Sequence, residues 1–165
     1  MTAIEEAVLR QKPADTSDAL ELIEKLRSVT RIMEAELIGA LQAYSRLGRE
    51  KALYDVTATE LILLGKLDQP RLQYEMRSGV DVDRYKLNRT LRDLARRGLV
   101  SRRPPHPSAH TYEVSLTDYG RRVLGRARYV ANVVMRYVAD ESGLCNVDLH
   151  ELEDLLKRIT KGGQF

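Results

Sequence analysis

Apolar residues return with a helical period over most of the chain and switch to a period of two in one stretch near its middle. From Asp18 to Leu47 they fall at Leu22, Leu26, Val29, Met33, Leu37, Ala40, Tyr44 and Leu47, with no proline and Gly39 as the only glycine. The spacing predicts a helix over residues 18–47, opened by Asp18 and Glu21 as a capping box in which the Asp carboxylate accepts a free backbone N–H and the Glu reaches back. At 1.5 Å per residue this helix would extend about 45 Å, comparable with the roughly 40 Å breadth of a globule of this length. A second subunit is the economical cover for its apolar stripe. Residues 1–16 are read as a tail, either disordered or forming a short helix before Pro13.

A second box, Thr57 with Glu60, precedes Leu61, Ile62, Leu63, Leu64 and Leu67 and opens a helix that ends near Asp68-Gln69-Pro70. A short segment from Leu72 to Ser78 and a break at Gly79 lead to a further helix from about Asp81 to Arg97, stopped by Gly98 as a left-handed cap. On it Leu87, Leu91 and Leu94 share one face, while Tyr85, Arg89, Arg92 and Arg96 stand at i, i+4, i+7 and i+11 on the other.

Beyond Gly98 the period becomes two. Leu99 and Val100 start one extended segment, and Tyr112, Val114 and Leu116 alternate with Thr111, Glu113 and Ser115 as in a half-buried strand. Pro104, Pro105 and Pro107 bar a helix between them, so residues 104–110 form a stiff hairpin tip. Helix, turn, helix and hairpin in this order make a winged helix-turn-helix over about 57–117. From Thr117 to about residue 139 a helix carries Val123, Leu124, Ala127, Val130, Ala131, Val134 and Val138, with Val133 and Tyr137 widening the stripe beyond one core-facing side. A last helix over 148–160 opens with Asp148 and Glu151 as a third box and is expected to bury Leu149, Leu152, Leu155, Leu156 and Ile159. The fold class is therefore mainly α with a small β-hairpin, a winged helix-turn-helix flanked by long dimerisation helices at about 18–47, 117–139 and 148–160. Residues 17–165 are read as one unit.

Composition narrows the function. No apolar run approaches the roughly 18 residues of a membrane span, and the N-terminus, with Glu5 and Glu6, does not read as a secretion signal; the expected place is the cytoplasm, at the nucleoid. Cys145 is the only cysteine, which excludes an intramolecular disulfide and cysteine-rich zinc modules. It is expected to be an inert, partly buried thiol. His106, His110 and His150 form no His/Cys cluster, so no metal or other cofactor is expected. The net charge of +3 conceals a segregation: Lys and Arg against Asp and Glu number 9 and 12 over residues 1–70, 14 and 6 over 71–128, and 4 and 6 over 129–165. A cationic middle third is the footprint of a polyanion partner. There is no Gly-rich phosphate loop, no nucleophile with a placed base and no carboxylate pair spaced for acid–base work, so an enzyme is not expected.

The segment from Val56 to Gly120 resembles the MarR family of bacterial winged-helix regulators, and the long flanking helices match that family's plan over nearly the whole chain. Gln73, Glu75 and Met76 stand where the family has Gln, Glu and Leu, Val82-Asp83-Arg84 opens the recognition helix, and Arg89, Leu94 and Gly98-Leu99-Val100 fall at family spacing. Arg102 and Leu116-Thr117-Asp118-Tyr119-Gly120 close the wing as the family does. Two positions depart. The family's wing Asp and Arg are replaced by Ser108 and His110, and Arg77 stands where a small Ala is usual, with the expected effect of opening the angle between the two helices.

The resemblance implies a homodimer on double-stranded DNA, with the recognition helix in the major groove. Base-edge contacts fall to Tyr85, Asn88 and Arg89, since Asn pairs with adenine and Arg with guanine through two hydrogen bonds each. Phosphate contacts fall to Arg71, Lys86, Arg92, Arg102 and Arg103, with His106 and His110 at the wing tip; Gln73 and Arg84 join the set by family position. For Arg96 and Arg97, at the far end of the helix, a phosphate contact stands beside the reading as solvated charges that favour the helix dipole. The resemblance also implies a small aromatic or amphipathic effector between the dimerisation helices and the DNA-binding lobe. Tyr44, Tyr129 and Tyr137 are its candidate lining, although core packing is the plainer reading of tyrosines at this spacing. The competing class is a winged-helix module that binds another protein, or coats DNA without selecting sequence, and the missing wing arginine is its support.

Overall fold

The computed structural model describes residues 16–77, 80, 82–106 and 111–162. The expectations for the N-terminal tail, for Ser78, Gly79 and Asp81, and for Ser108 and His110 in the wing lie outside the described residues. The chain groups into two units, residues 1–36 and 37–165.

The described part of the first unit is the leading portion of helix α1 (Thr16–Arg46). The helix starts two residues ahead of Asp18, which is thus inside it rather than its cap. Leu20, Leu22, Ile23, Leu26, Val29 and Ile32 are all exposed on the single chain, and Lys25 pairs with Glu21 one turn away at 2.6 Å.

In the second unit the core gathers Leu41, Leu53, Val56, Leu63, Leu64, Leu67, Met76, Leu87, Leu91, Leu94, Leu99, Val114 and Val123. Helix α2 (Ala58–Gly65) opens with the expected box: the Glu60 N–H donates to Thr57 Oγ1 at 3.2 Å, and Glu60 Oε2 accepts from the Thr57 N–H at 2.9 Å. Strand β1 (Arg71–Leu72) follows, then a 3₁₀ turn over Gln73–Arg77. Helix α3 (Arg84–Arg96) is capped by Asp83, whose Oδ1 accepts from the Lys86 N–H at 2.7 Å. Gly98 ends the turn at φ +70, a conformation that costs little only without a Cβ.

Strands β2 (Val100–Arg103) and β3 (Glu113–Leu116) form the wing, with Val100 opposite Leu116 and Arg102 opposite Val114. Strand β1 adds to the far side of β3, so the sheet has three strands in the order β1-β3-β2 where the sequence pattern suggested only a hairpin. A two-residue strand is too short to show an alternation. Tyr112 also differs from expectation. It precedes β3 and is exposed, leaving Val114 and Leu116 as the buried residues of that strand.

Helix α4 (Asp118–Glu141) begins where Thr117 Oγ1 accepts from the Gly120 N–H at 2.9 Å and donates to the Gly98 carbonyl at 2.6 Å. Gly120 lies so close to the Leu99 carbonyl that a Cβ there would collide with it, which accounts for a glycine in the first turn. Helix α5 (Asn146–Gly162) starts earlier than expected. Asp148 is not its cap; its carboxylate reaches back to the Cys145 N–H at 2.7 Å, and this bond holds the carboxyl below the ordinary carboxylate range. The leucines of α5 are not buried on the single chain either: Leu152, Leu155 and Leu156 are exposed, as are Val133, Tyr137 and Val147. Cys145 is exposed, against the expectation of a partly buried thiol.

Candidate nucleic-acid interface

Helix α3 divides into two faces. Leu87, Leu91 and Leu94 are at most 1% exposed, so the helix is fixed to the core along one line. Turning away from that line are Arg84, Tyr85, Lys86, Arg89, Arg92 and Arg96, all exposed, with Tyr85 open at 77%. Asp83 fastens the leading end, so the first turn offers Arg84, Tyr85 and Lys86 from a defined backbone. A rigid cylinder with a cationic, solvent-facing side and its start pinned is the shape that enters a major groove.

The remaining expected residues divide between the edge of this face and its support. Arg71 is exposed on β1 and donates from Nε to the Lys66 carbonyl at 2.7 Å. Arg103 and His106 are exposed on the wing. Arg102 is different. Two residues on from buried Val100, it shares the inward face of the sheet, because side chains along a strand alternate. Its Nη2 donates to Gln73 Oε1 at 2.7 Å and to Asn88 Oδ1 at 3.0 Å, and its guanidinium lies over the Tyr112 ring at 4.5 Å.

One arginine therefore ties together the turn, helix α3 and the wing. Burial pushes its pKa down from the ordinary value; Tyr112 opposes this, and the nearby Arg92 adds to it. Hydrogen bonds to a charged group contribute about 1.5–3 kcal/mol and a cation over an aromatic ring about 0.5–1 kcal/mol. Those contacts would have to be given up for Arg102 to reach a phosphate. The expected phosphate contact of Arg102 is thus corrected; a period-two count from Val100 would have turned it inward, but the charge count set it among the phosphate contacts. Tyr112 stood on the same alternation as Val114 and Leu116, yet nothing in the sequence pointed to its contact with Arg102.

Between the leading half of α3 and the base of the wing lies a groove of about 600 Å³, lined by Gln73, Tyr74, Arg77, Arg84, Asn88 and Tyr112 among others. Arg77 is exposed there. Arg96 pairs with Asp93 on the helix surface. Arg97 is not a solvated charge: it donates to Glu60 Oε1 at 2.8 Å and to the Ala52 carbonyl at 3.1 Å, tying the end of α3 to α2. The three tyrosines considered for an effector cavity do not share one environment. Tyr44 packs half-buried against the core and its hydroxyl accepts from Arg126 at 3.2 Å, whereas Tyr129 and Tyr137 are exposed. Among the described residues no group of three or more His, Cys, Asp or Glu is placed to hold a metal ion. No described helix is long and apolar enough to cross a membrane.

No family model matches the sequence, and no curated protein matches it. Solved structures do. Wild-type MarR from E. coli in its apo form superposes with a TM-score of 0.64 at 21% identity, covering 84% of this chain and 96% of that one. A MarR mutant from E. coli complexed with operator DNA gives 0.68 at 21% identity, over 88% and 98%. A MarR-family transcriptional regulator from a Rhodococcus species gives 0.69 at 16% identity, over 90% and 96%. The chain has the MarR-type winged-helix fold, mainly helical with a small antiparallel sheet.

Proposed function

We propose that this chain is a transcription regulator that binds double-stranded DNA sequence-specifically, as a homodimer on an inverted repeat, in the cytoplasm at the nucleoid. The observation that carries the reading is helix α3, anchored by three buried leucines and presenting Arg84, Lys86, Arg89 and Arg92 to solvent. The fold it shares with a protein solved on operator DNA supports the same reading. Base edges are assigned to Tyr85 and Arg89 together with Asn88, and phosphates to Arg71, Arg84, Lys86, Arg92 and Arg103, with His106 and His110 toward the wing tip. Catalysis plays no part in this reading.

Exposed apolar residues support the dimer. In the first unit they form the stripe from Leu20 to Ile32 on α1, and in the second they include Val133 and Tyr137 on α4 and Leu152, Leu155 and Leu156 on α5. Contiguous exposed apolar patches of this kind mark protein–protein contacts. Two-fold symmetry then predicts half-site centres about one helical turn, or 10–10.5 base pairs, apart.

The inward turn of Arg102 favours a second reading, in which fewer cations reach the backbone and the module binds another protein. Binding to the chain's own promoter in competition with unrelated duplex separates the two. A specific regulator is expected to prefer its operator by about a thousandfold or more, with a symmetric footprint. Equal competition by unrelated duplex would contradict specificity.

A further inference from the structure

The groove of about 600 Å³ beside α3 adjoins the face assigned to base edges. At about 3.6 residues per turn, Arg84 and Asn88 stand between the buried line of Leu87 and Leu91 and the outward line of Tyr85, Arg89 and Arg92. From that flank the groove reaches the 3₁₀ turn, where Met76 is buried and Tyr74 and Arg77 are exposed, and the base of the wing at Thr111 and Tyr112. Two hydrogen bonds tie its floor together. The Gln73 N–H donates to the Tyr112 carbonyl at 2.8 Å, and Gln73 Oε1 accepts from Arg102 at 2.7 Å.

The described lining of the groove carries Arg77 and Arg84 and no carboxylate. Arg102, in contact with Gln73, Asn88 and Tyr112, adds a third positive charge behind that lining. Among the described residues no ion pair joins any of the three arginines to a carboxylate. Like charges around one depression make a positive field that attracts an anion. The width of α3 says which anion. A helix with its side chains is about 10–12 Å across and the major groove about 12 Å wide, so a sugar–phosphate backbone runs along each flank of a helix lying in that groove. We infer that the groove beside α3 seats one of these backbones, with Arg77 and Arg84 donating to its phosphates and Arg102 adding charge from behind while it keeps its own contacts. Arg77 is then a DNA-binding residue outside the helix. This inference rests on the proposed reading of the chain as a dimeric DNA binder.

The test uses the full-length protein, the duplex it selects from a randomised pool, and copies of that duplex in which single phosphates are replaced by uncharged methylphosphonates. Wild type is compared with Arg77→Ala and Arg77→Lys, each matched to it in circular dichroism. Because a phosphate contact carries no sequence information, Arg77→Ala should weaken selected and unrelated duplex alike, by about tenfold or more at about 0.1 M salt. It should also flatten the slope of log K against log salt by about 2, one phosphate being lost from each protomer. Arg77→Lys keeps the charge and should recover the slope. In the methylphosphonate series, one position in each half-site should weaken wild type and leave Arg77→Ala indifferent, a pairing that loss of structure would not produce.

An unchanged slope in Arg77→Ala, or no phosphate whose neutralisation wild type feels and Arg77→Ala does not, would overturn the inference. A loss in Arg77→Ala confined to the selected sequence would assign Arg77 to a base and overturn it equally. Failure of wild type to select any sequence would instead overturn the regulator reading beneath it, while the salt slope on unrelated duplex would still test the seat.

Discussion

Glu60 shows how a single side chain can hold α3 in place. One of its carboxylate oxygens completes the capping box of α2 and the other receives Arg97 from the end of α3, while the residue is only 7% exposed. Removing one partner of a fully buried pair costs roughly 3–5 kcal/mol. Arg97 keeps some access to water, so Glu60→Ala is expected to destabilise the fold by about 2–3 kcal/mol, the lost cap leg included. Urea denaturation monitored by circular dichroism measures it. A change under about 0.5 kcal/mol, typical of a surface substitution, would show that the pair contributes nothing.

Little of this was legible from residue types. Glu60 reads as a cap partner from its spacing to Thr57, but its bond to Arg97 spans 37 positions and leaves no periodic trace. Arg102 likewise reaches Gln73 across 29 positions and Asn88 across 14, partners that no spacing names. A charge count files such an arginine with the phosphate contacts, whereas strand alternation, which depends on geometry, places it inward.

At the scale of elements, helix α3 was the best-marked part of the sequence because its two faces differ in chemistry at every turn. Leu87, Leu91 and Leu94 are inward and Tyr85, Arg89 and Arg92 outward, as the spacing required. Its leading end was placed about three residues early; the helix starts at Arg84, with Asp83 as its cap. That cap can be tested. Asp83→Ala should cost about 0.5–2 kcal/mol of stability and weaken binding to operator as the first turn frays, with thermal unfolding and titration of labelled duplex as the two readouts. Loss of stability without any loss of affinity would mean that the first turn does not meet DNA. Strand β1 was missed because two residues after Pro70 carry no pattern. The leucines of α5 were misjudged for a different reason, since periodicity reports an apolar face without saying whether the chain itself or a second copy covers it.

For the whole molecule the proposed binding to a duplex is governed by charge. Arg71, Arg84, Lys86, Arg89, Arg92 and Arg103 are exposed around α3 and the wing. If the two protomers of a dimer together neutralise about ten phosphates, the logarithm of the binding constant should fall against the logarithm of salt concentration with a slope near −9. Fluorescence anisotropy from low to moderate salt gives this slope, and a value near zero would remove the electrostatic account. The most direct measurement of the central claim is operator binding by Arg89→Glu, Arg92→Glu protein whose circular dichroism and melting match wild type. Reversing two charges on the exposed side of α3 is predicted to weaken binding by at least about a hundredfold, two contacts at 1–3 kcal/mol each being lost and repulsion added. A folded double variant that binds as tightly as wild type would show that this face does not meet the duplex.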